Sequence, residues 1–162
     1  MTTMRFLGAA LLVWTVQAAA ADKLTSEMIR ELMDTTDTAA AQRDAATIGA
    51  ALGDNFYKYV DVPSDGLPAT VRITKQQYLD TIEKGWEKVG KYDYRRKDVV
   101  INLSSGGDSG ESFSTIVENF EIDGKSMTSK VREYARYELQ DGRPVIVNLD
   151  TQTLVGDTTP EQ

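Results

Sequence analysis

The chain has 162 residues and neither histidine nor cysteine, so any chemistry must come from carboxylates, phenols, indoles and amines. That composition removes Ser-His and Cys-His nucleophilic catalysis, and zinc sites built on imidazole or thiolate. Oxygen ligands remain, but Asp61-Val62-Pro63-Ser64-Asp65-Gly66 breaks the calcium-loop pattern at Pro63. The glycine cluster Ser104-Ser105-Gly106-Gly107-Asp108-Ser109-Gly110 follows a strand-like run and leads into another. A phosphate cradle needs a helix N-terminus behind such a loop, so this one reads as a mobile hairpin connection. No cofactor is implied. Six side chains are candidates for a ligand site: Tyr59, Asp61, Trp86, Lys97, Glu118 and Glu133.

Periodicity supplies the elements that must position them. Leu24, Met28, Leu32 and Thr36, with Ile29 and Met33 beside them, make one stripe of a helix over 24–43, capped by Thr25 or Ser26. Asp44 caps a shorter helix through Ile48 and Leu52, with Gly53 just past its end. Residues 56–62 and 70–73 are β-rich and flank Pro63-Ser64-Asp65-Gly66, which predicts two short strands around a turn. Thr74 caps a third helix carrying Tyr78, Leu79, Ile82, Trp86 and Val89 at a 3.6-residue period, and Gly90 stops it. From Tyr92 the period is two, giving strands over 92–103, 112–122, 125–139 and 143–154.

Turn chemistry then sets the faces. A two-residue turn at Asp123-Gly124 pairs Phe120 with Met127, Glu118 with Ser129, Ile116 with Val131 and Ser114 with Glu133. At Asp141-Gly142 a three-residue loop, with Gly142 left-handed, pairs Tyr137 with Val145, Ala135 with Val147 and Glu133 with Leu149. The inner face then holds Ile116, Phe120, Ile122, Met127, Val131, Ala135, Tyr137, Val145, Val147 and Leu149, with Glu118 and Glu133 among them. A carboxylate on such a face must be paired, protonated or wet. Pairing Leu103 with Ser112 places Lys97 beside Glu118 as its counter-ion. The opposite face carries Arg132, Tyr134, Arg136 and Glu138 beside Ile146, Asn148 and Asp150, a mixture that suits either a partner or solvent.

The N-terminus reads differently from the rest. Arg5 precedes the apolar run Phe6–Val16, and Ala18-Ala19-Ala20-Ala21 follows. A basic start, a run too short to span a bilayer and a small-residue boundary make a signal peptide. The expected organisation is a signal peptide over 1–21, one folded domain over 22–155 and a polar tail over 156–162. The expected location is periplasmic or secreted, with no stable membrane insertion after cleavage. Loss of Arg5 takes the formal charge from −7 to −8, which repels polyphosphates and argues against nucleic acid. The one basic cluster, Arg95-Arg96-Lys97, lies in a strand, where neighbours face opposite sides.

Certain local sequences carry a family likeness. Gln42-Arg43-Asp44 leads to Leu52-Gly53-Asp54-Asn55-Phe56; Thr74-Lys75-Gln76-Gln77-Tyr78-Leu79 follows, and Leu139-Gln140-Asp141-Gly142-Arg143-Pro144-Val145-Ile146-Val147 ends the series. In this order and spacing the chain resembles the nuclear-transport-factor-2-like superfamily, which includes ketosteroid isomerases and SnoaL-like proteins. Pro144 stands where the family often has an aromatic. The resemblance implies an α+β cone: three N-terminal helices on a strongly curved, mixed but largely antiparallel sheet, with an internal cavity and frequently a homodimer through the sheet. It also implies a base at Asp61 for an isomerase, but Met28, Ile29, Leu32 and Met33 leave the first helix without the tyrosine of that oxyanion hole. The histidine–aspartate pair of the dehydratase type is missing outright. The expectation is therefore a non-catalytic domain that binds a small apolar ligand in the cone or a protein partner on the sheet. The alternative is an isomerase or lyase using Asp61 or Glu133 as general base.

Overall fold

The structure is a computed structural model that describes residues 21–62 and 69–154, with backbone alone at 61, 62 and 69. The expected signal peptide, the turn at Pro63–Gly66 and the polar tail lie outside the described residues. The elements are α1 (Ser26–Gln42), α2 (Ala45–Ala51), β1 (Leu52–Val62), β2 (Ala69–Thr74), α3 (Lys75–Glu87), β3 (Tyr92–Leu103), β4 (Ser109–Ile122), β5 (Lys125–Gln140) and β6 (Arg143–Thr153). Among the described residues, no helix is long and apolar enough to cross a membrane.

Each helix starts on a side-chain cap. Thr25 Oγ1 accepts from the Met28 N–H, and Asp44 Oδ1 accepts from the Thr47 N–H. Thr74 and Gln77 form a reciprocal capping box at α3. Arg43 ends α1 in the left-handed conformation (φ 58°), where its guanidinium donates to the carbonyls of Val89 and Gly90. Gly53 does not terminate α2, because the chain turns extended at Leu52 and runs directly into β1. The buried stripe of α1 is Ile29, Met33, Thr36, Ala39 and Ala40, with Met28 and Leu32 only partly covered.

The six strands form one mixed sheet in the order β2-β1-β6-β5-β4-β3. Among the described residues only β1 and β6 run parallel; the other pairs are antiparallel. α1 packs on β3 and β6, and α3 on β1 and β2, so the helices cover one face from flank to flank. Ladder irregularities near Leu52, near Asp98 and between Arg136 and Tyr137 bend the strands around them. The core between the layers joins Ile29, Met33, Ile48, Leu52, Phe56, Ala135, Tyr137, Ile146 and Leu149.

The β4–β5 register is the one the Asp123-Gly124 turn predicts, from Phe120 opposite Met127 to Ser114 opposite Glu133. Met127 nevertheless remains 47% exposed, because the long hairpin extends beyond the helices. The β5–β6 register differs from the expectation. Asp141 and Gly142 both have positive φ (51° and 70°), the two-residue turn in which Gln140 faces Arg143 and Tyr137 faces Ile146. A bulge then shifts the ladder, so that Ala135 faces Leu149 and Glu133 faces Thr151. The apolar residues are segregated by the bulge, not by a longer loop. Ile146 accordingly sits in the core and not on the outer face.

The glycine loop is also tighter than expected. The Ser104 N–H donates to Ser109, the Gly107 N–H donates to Ser104, and the Leu24 N–H reaches the Gly107 carbonyl at 2.7 Å. β4 starts at Ser109, and Leu103 faces Gly110 instead of Ser112.

Candidate functional site

Along β1, Phe56 and Lys58 are buried while Tyr59 is 46% exposed. Along β3, Tyr92, Tyr94 and Arg96 turn inward and are largely covered, while Asp93, Arg95 and Lys97 are exposed. Lys58 of β1 and Tyr92, Tyr94 and Arg96 of β3, with Glu118, Val131, Glu133 and Thr151 from the rest of the sheet, line a cavity of about 260 Å³. Tyr78, Ile82 and Trp86 of α3, and Thr36 and Ile48 from the first two helices, complete its wall.

Of the six candidates, Trp86, Glu118 and Glu133 line this cavity. Tyr59 does not; it packs edge-on against Tyr57, ring centres 5.6 Å apart. Lys97 does not either. The bulge at Asp98 (φ 55°) and the Leu103–Gly110 pairing put Lys97 opposite Thr115 and Tyr94 opposite Glu118. Asp61 pairs with Thr70 on the β1–β2 ribbon, and its side chain lies outside the described residues.

Arg96, which sequence reasoning did not single out, organises one side of the cavity. Its Nε donates to both Asp37 oxygens at 3.0 Å, and Nη2 donates to Asp37 Oδ1 at 2.9 Å and Tyr94 Oη at 3.1 Å. Nη1 donates to Ser114 Oγ and to Glu133 Oε1, each at 2.6 Å. All five guanidinium N–H groups therefore have acceptors. Burial opposes the charge, but Glu133 and then Tyr94 and Asp37 outweigh it and hold the guanidinium firmly protonated. The signal was available in the alternation Tyr92-x-Tyr94-x-Arg96.

Glu118 has its own partner: Tyr92 Oη donates to Glu118 Oε1 at 2.6 Å. Burial, then the Glu118 charge, pushes the Tyr92 phenol well above its ordinary value. Tyr78 and Tyr94 are raised for the same first reason, with Glu133 adding to each. Tyr137 is pushed up to about 12, mainly by burial, while it hydrogen-bonds Ser112 Oγ at 2.9 Å. These phenols stay neutral across the ordinary pH range.

Lys58 is the third polar group. It is 8% exposed, and its ammonium donates to Thr151 Oγ1 at 3.0 Å. Burial lowers its affinity for the proton, and the charges of Glu133 and Asp150 work against that. Among the described residues no cluster has the make-up of a metal site.

An α+β cone with helices filling a bent, open sheet and a cavity between the layers is a defined class of protein. Solved structures identify that class as the nuclear-transport-factor-2-like, or cystatin-like, fold. An NTF2-like protein from Cytophaga hutchinsonii aligns with a TM-score of 0.61 at 16% identity, over 79% of this chain and 97% of that one. A Caulobacter vibrioides protein with a cystatin-like fold gives 0.64 at 10% identity, over 80% and 89%. A hexachlorocyclohexane dehydrochlorinase from Novosphingobium barchaimii gives 0.63 at 13% identity, over 84% and 94%. No protein-family profile and no curated protein sequence matches the chain. The fold thus hosts both an enzyme and proteins without an assigned activity, and function must be argued from the site.

Proposed function

We propose that this chain is an exported binding domain that takes a small, mainly apolar molecule into its cone without turning it over. The observation that carries the reading is the closure of Arg96 on Asp37, Glu133, Ser114 and Tyr94. With no N–H of Arg96 left over, the one guanidinium lining the cavity among the described residues has no donor to offer a developing oxyanion. Glu133, the general base of the alternative reading, has Oε1 engaged by that same guanidinium. What remains is apolar wall from Ile48, Ile82, Ile116 and Leu149, with a few polar groups to orient a guest.

Protein contact on the outer face has its own support. Phe113, 42% exposed, packs on Tyr134 at 5.2 Å between ring centres, beside the Arg136–Glu138 ion pair. A second copy of the chain is the simplest partner for that face.

Native mass spectrometry of protein purified from its own host tests both. A retained small molecule in a monomer or dimer supports the cavity reading. A ketosteroid or epoxide panel that shows turnover, cut at least a hundredfold by Asp61→Asn in folded protein, overturns it.

A further inference from the structure

Four charged groups line the cavity from the sheet, Lys58, Arg96, Glu118 and Glu133, and three of them are committed, Glu133 to Arg96 among them. Arg96 has an acceptor for every N–H, and Glu118 holds the Tyr92 hydroxyl. Lys58 is different. It enters from β1 between Leu149 of β6 and Ile73 of β2, deep enough to be 8% exposed. An ammonium has three N–H groups, and Lys58 makes one hydrogen bond among the described residues, to the neutral hydroxyl of Thr151. Glu133 and Asp150 act on it through space, but neither bonds to it, and Glu133 is already paired with Arg96. Desolvation of this kind favours the neutral, nucleophilic form of a lysine amine.

We propose that Lys58 holds a small aldehyde or ketone in the cavity as a reversible imine. The inference rests on the cavity being a ligand site and names the reacting group of the ligand. The neutral Nζ adds its lone pair to the carbonyl carbon, and the C=O π pair moves to oxygen. That oxygen takes up a proton as nitrogen loses one, giving the carbinolamine. Its C–O bond then breaks, the hydroxyl leaves with the second nitrogen proton as water, and C=N forms. Nothing is oxidised or reduced, and added water reverses each step. Tyr78 lines the same cavity as a neutral phenol, able to give a hydrogen bond to the carbonyl or carbinolamine oxygen. Ile48, Ile82, Trp86 and Leu149 offer apolar wall to the hydrocarbon part of the ligand. A structural lysine that only ties β1 to β6 through Thr151 predicts none of this reactivity.

The test is reductive trapping on the full chain at neutral pH, with benzaldehyde or cyclohexanone and cyanoborohydride. Intact mass and peptide mapping then locate the secondary amine. The expected result is one adduct per chain at Lys58, formed at least tenfold faster than at the exposed Lys84 or Lys88. Modification spread over surface lysines, or none at Lys58, overturns the proposal. Benzyl alcohol and cyclohexanol, which lack the carbonyl, separate this from the cavity reading. If calorimetry shows that they bind while no carbonyl is trapped at Lys58, the cavity stands and the imine falls. If neither class binds and nothing is trapped, both fall. Lys58→Met should abolish the adduct; should that variant fail to fold, the wild-type map decides alone.

Discussion

Arg96 on β3 reaches past Ser114 of β4 to meet Glu133 of β5, an ion pair at 2.6 Å that skips a strand. With Asp37 of α1 on its other edge, the guanidinium ties three strands and a helix around one planar group. The arginine side chain is 9% exposed and that of Glu133 13%, so water does little to replace either partner.

Arg96→Met should therefore cost about 3–5 kcal/mol, the range for stranding a buried partner charge. Urea unfolding of the two proteins reads the difference. Adding Glu133→Met should recover part of the loss, since it removes the more buried of the two stranded carboxylates and leaves only Asp37, which is 24% exposed. A single variant as stable as the parent shows that the network contributes nothing.

Stability should fall above pH 10. Tyr78, Tyr92, Tyr94 and Tyr137 all have folded values raised above the ordinary phenol value, first by burial. The unfolded chain releases those protons near pH 10 while the folded chain keeps them, so the unfolded state gains. The contribution is complete below pH 10 and is lost as pH rises towards the folded values. Phenolate absorbance near 295 nm should include a component that rises together with the loss of far-UV dichroism. Smooth titration of every tyrosine in folded protein refutes this.

Gly110 should not tolerate a side chain. A Cβ there would lie 2.7 Å from Ile29 Cδ1 and 3.1 Å from Leu24 and Leu103, where α1 begins against β4. Ile29 is fully buried, so its terminal methyl must shift within packed surroundings to make room. Gly110→Ala should cost about 1–3 kcal/mol, as overpacking does. Thermal unfolding checks it, with exposed Gly85→Ala, which meets nothing within 4 Å, as the comparison.

Processing should expose Ala21 or Asp22 as the N-terminus of protein recovered outside the cytoplasm. The packed fold takes up the chain soon after, at Leu24, which is 2% exposed and bonded to Gly107. N-terminal sequencing decides it. Intact Met1 on soluble, folded protein would refute export.

Hydrophobic period and turn chemistry made the elements legible, and the β4–β5 register with them, because Asp123-Gly124 admits a two-residue turn and the strands behind it run unbroken. The β5–β6 register was not legible. A bulge between Arg136 and Tyr137 leaves no mark in composition, and the same apolar segregation follows from two different loops. The bulge at Asp98 hid the site in the same way by exchanging Lys97 for Arg96 as the inward cation. Lys58 was hidden by its neighbours: Tyr57 and Tyr59 look like the buried face of β1, whereas burial falls on Phe56 and Lys58.

The single parallel pairing in the sheet joins the first strand to the last, and the Lys58–Thr151 bond across it spans 93 residues. A parallel neighbour cannot form by folding back through a tight turn. The pocket is consequently complete only once β6 is in place, because Ile146, Leu149 and Thr151 form part of its wall. A nascent chain still lacking β6 can hold the β3–β4–β5 meander, yet its lysine has no hydroxyl to meet and its cone no closing wall. Ligand can reward only a chain with β6 paired to β1, and a contact of such long sequence separation is one that slows folding.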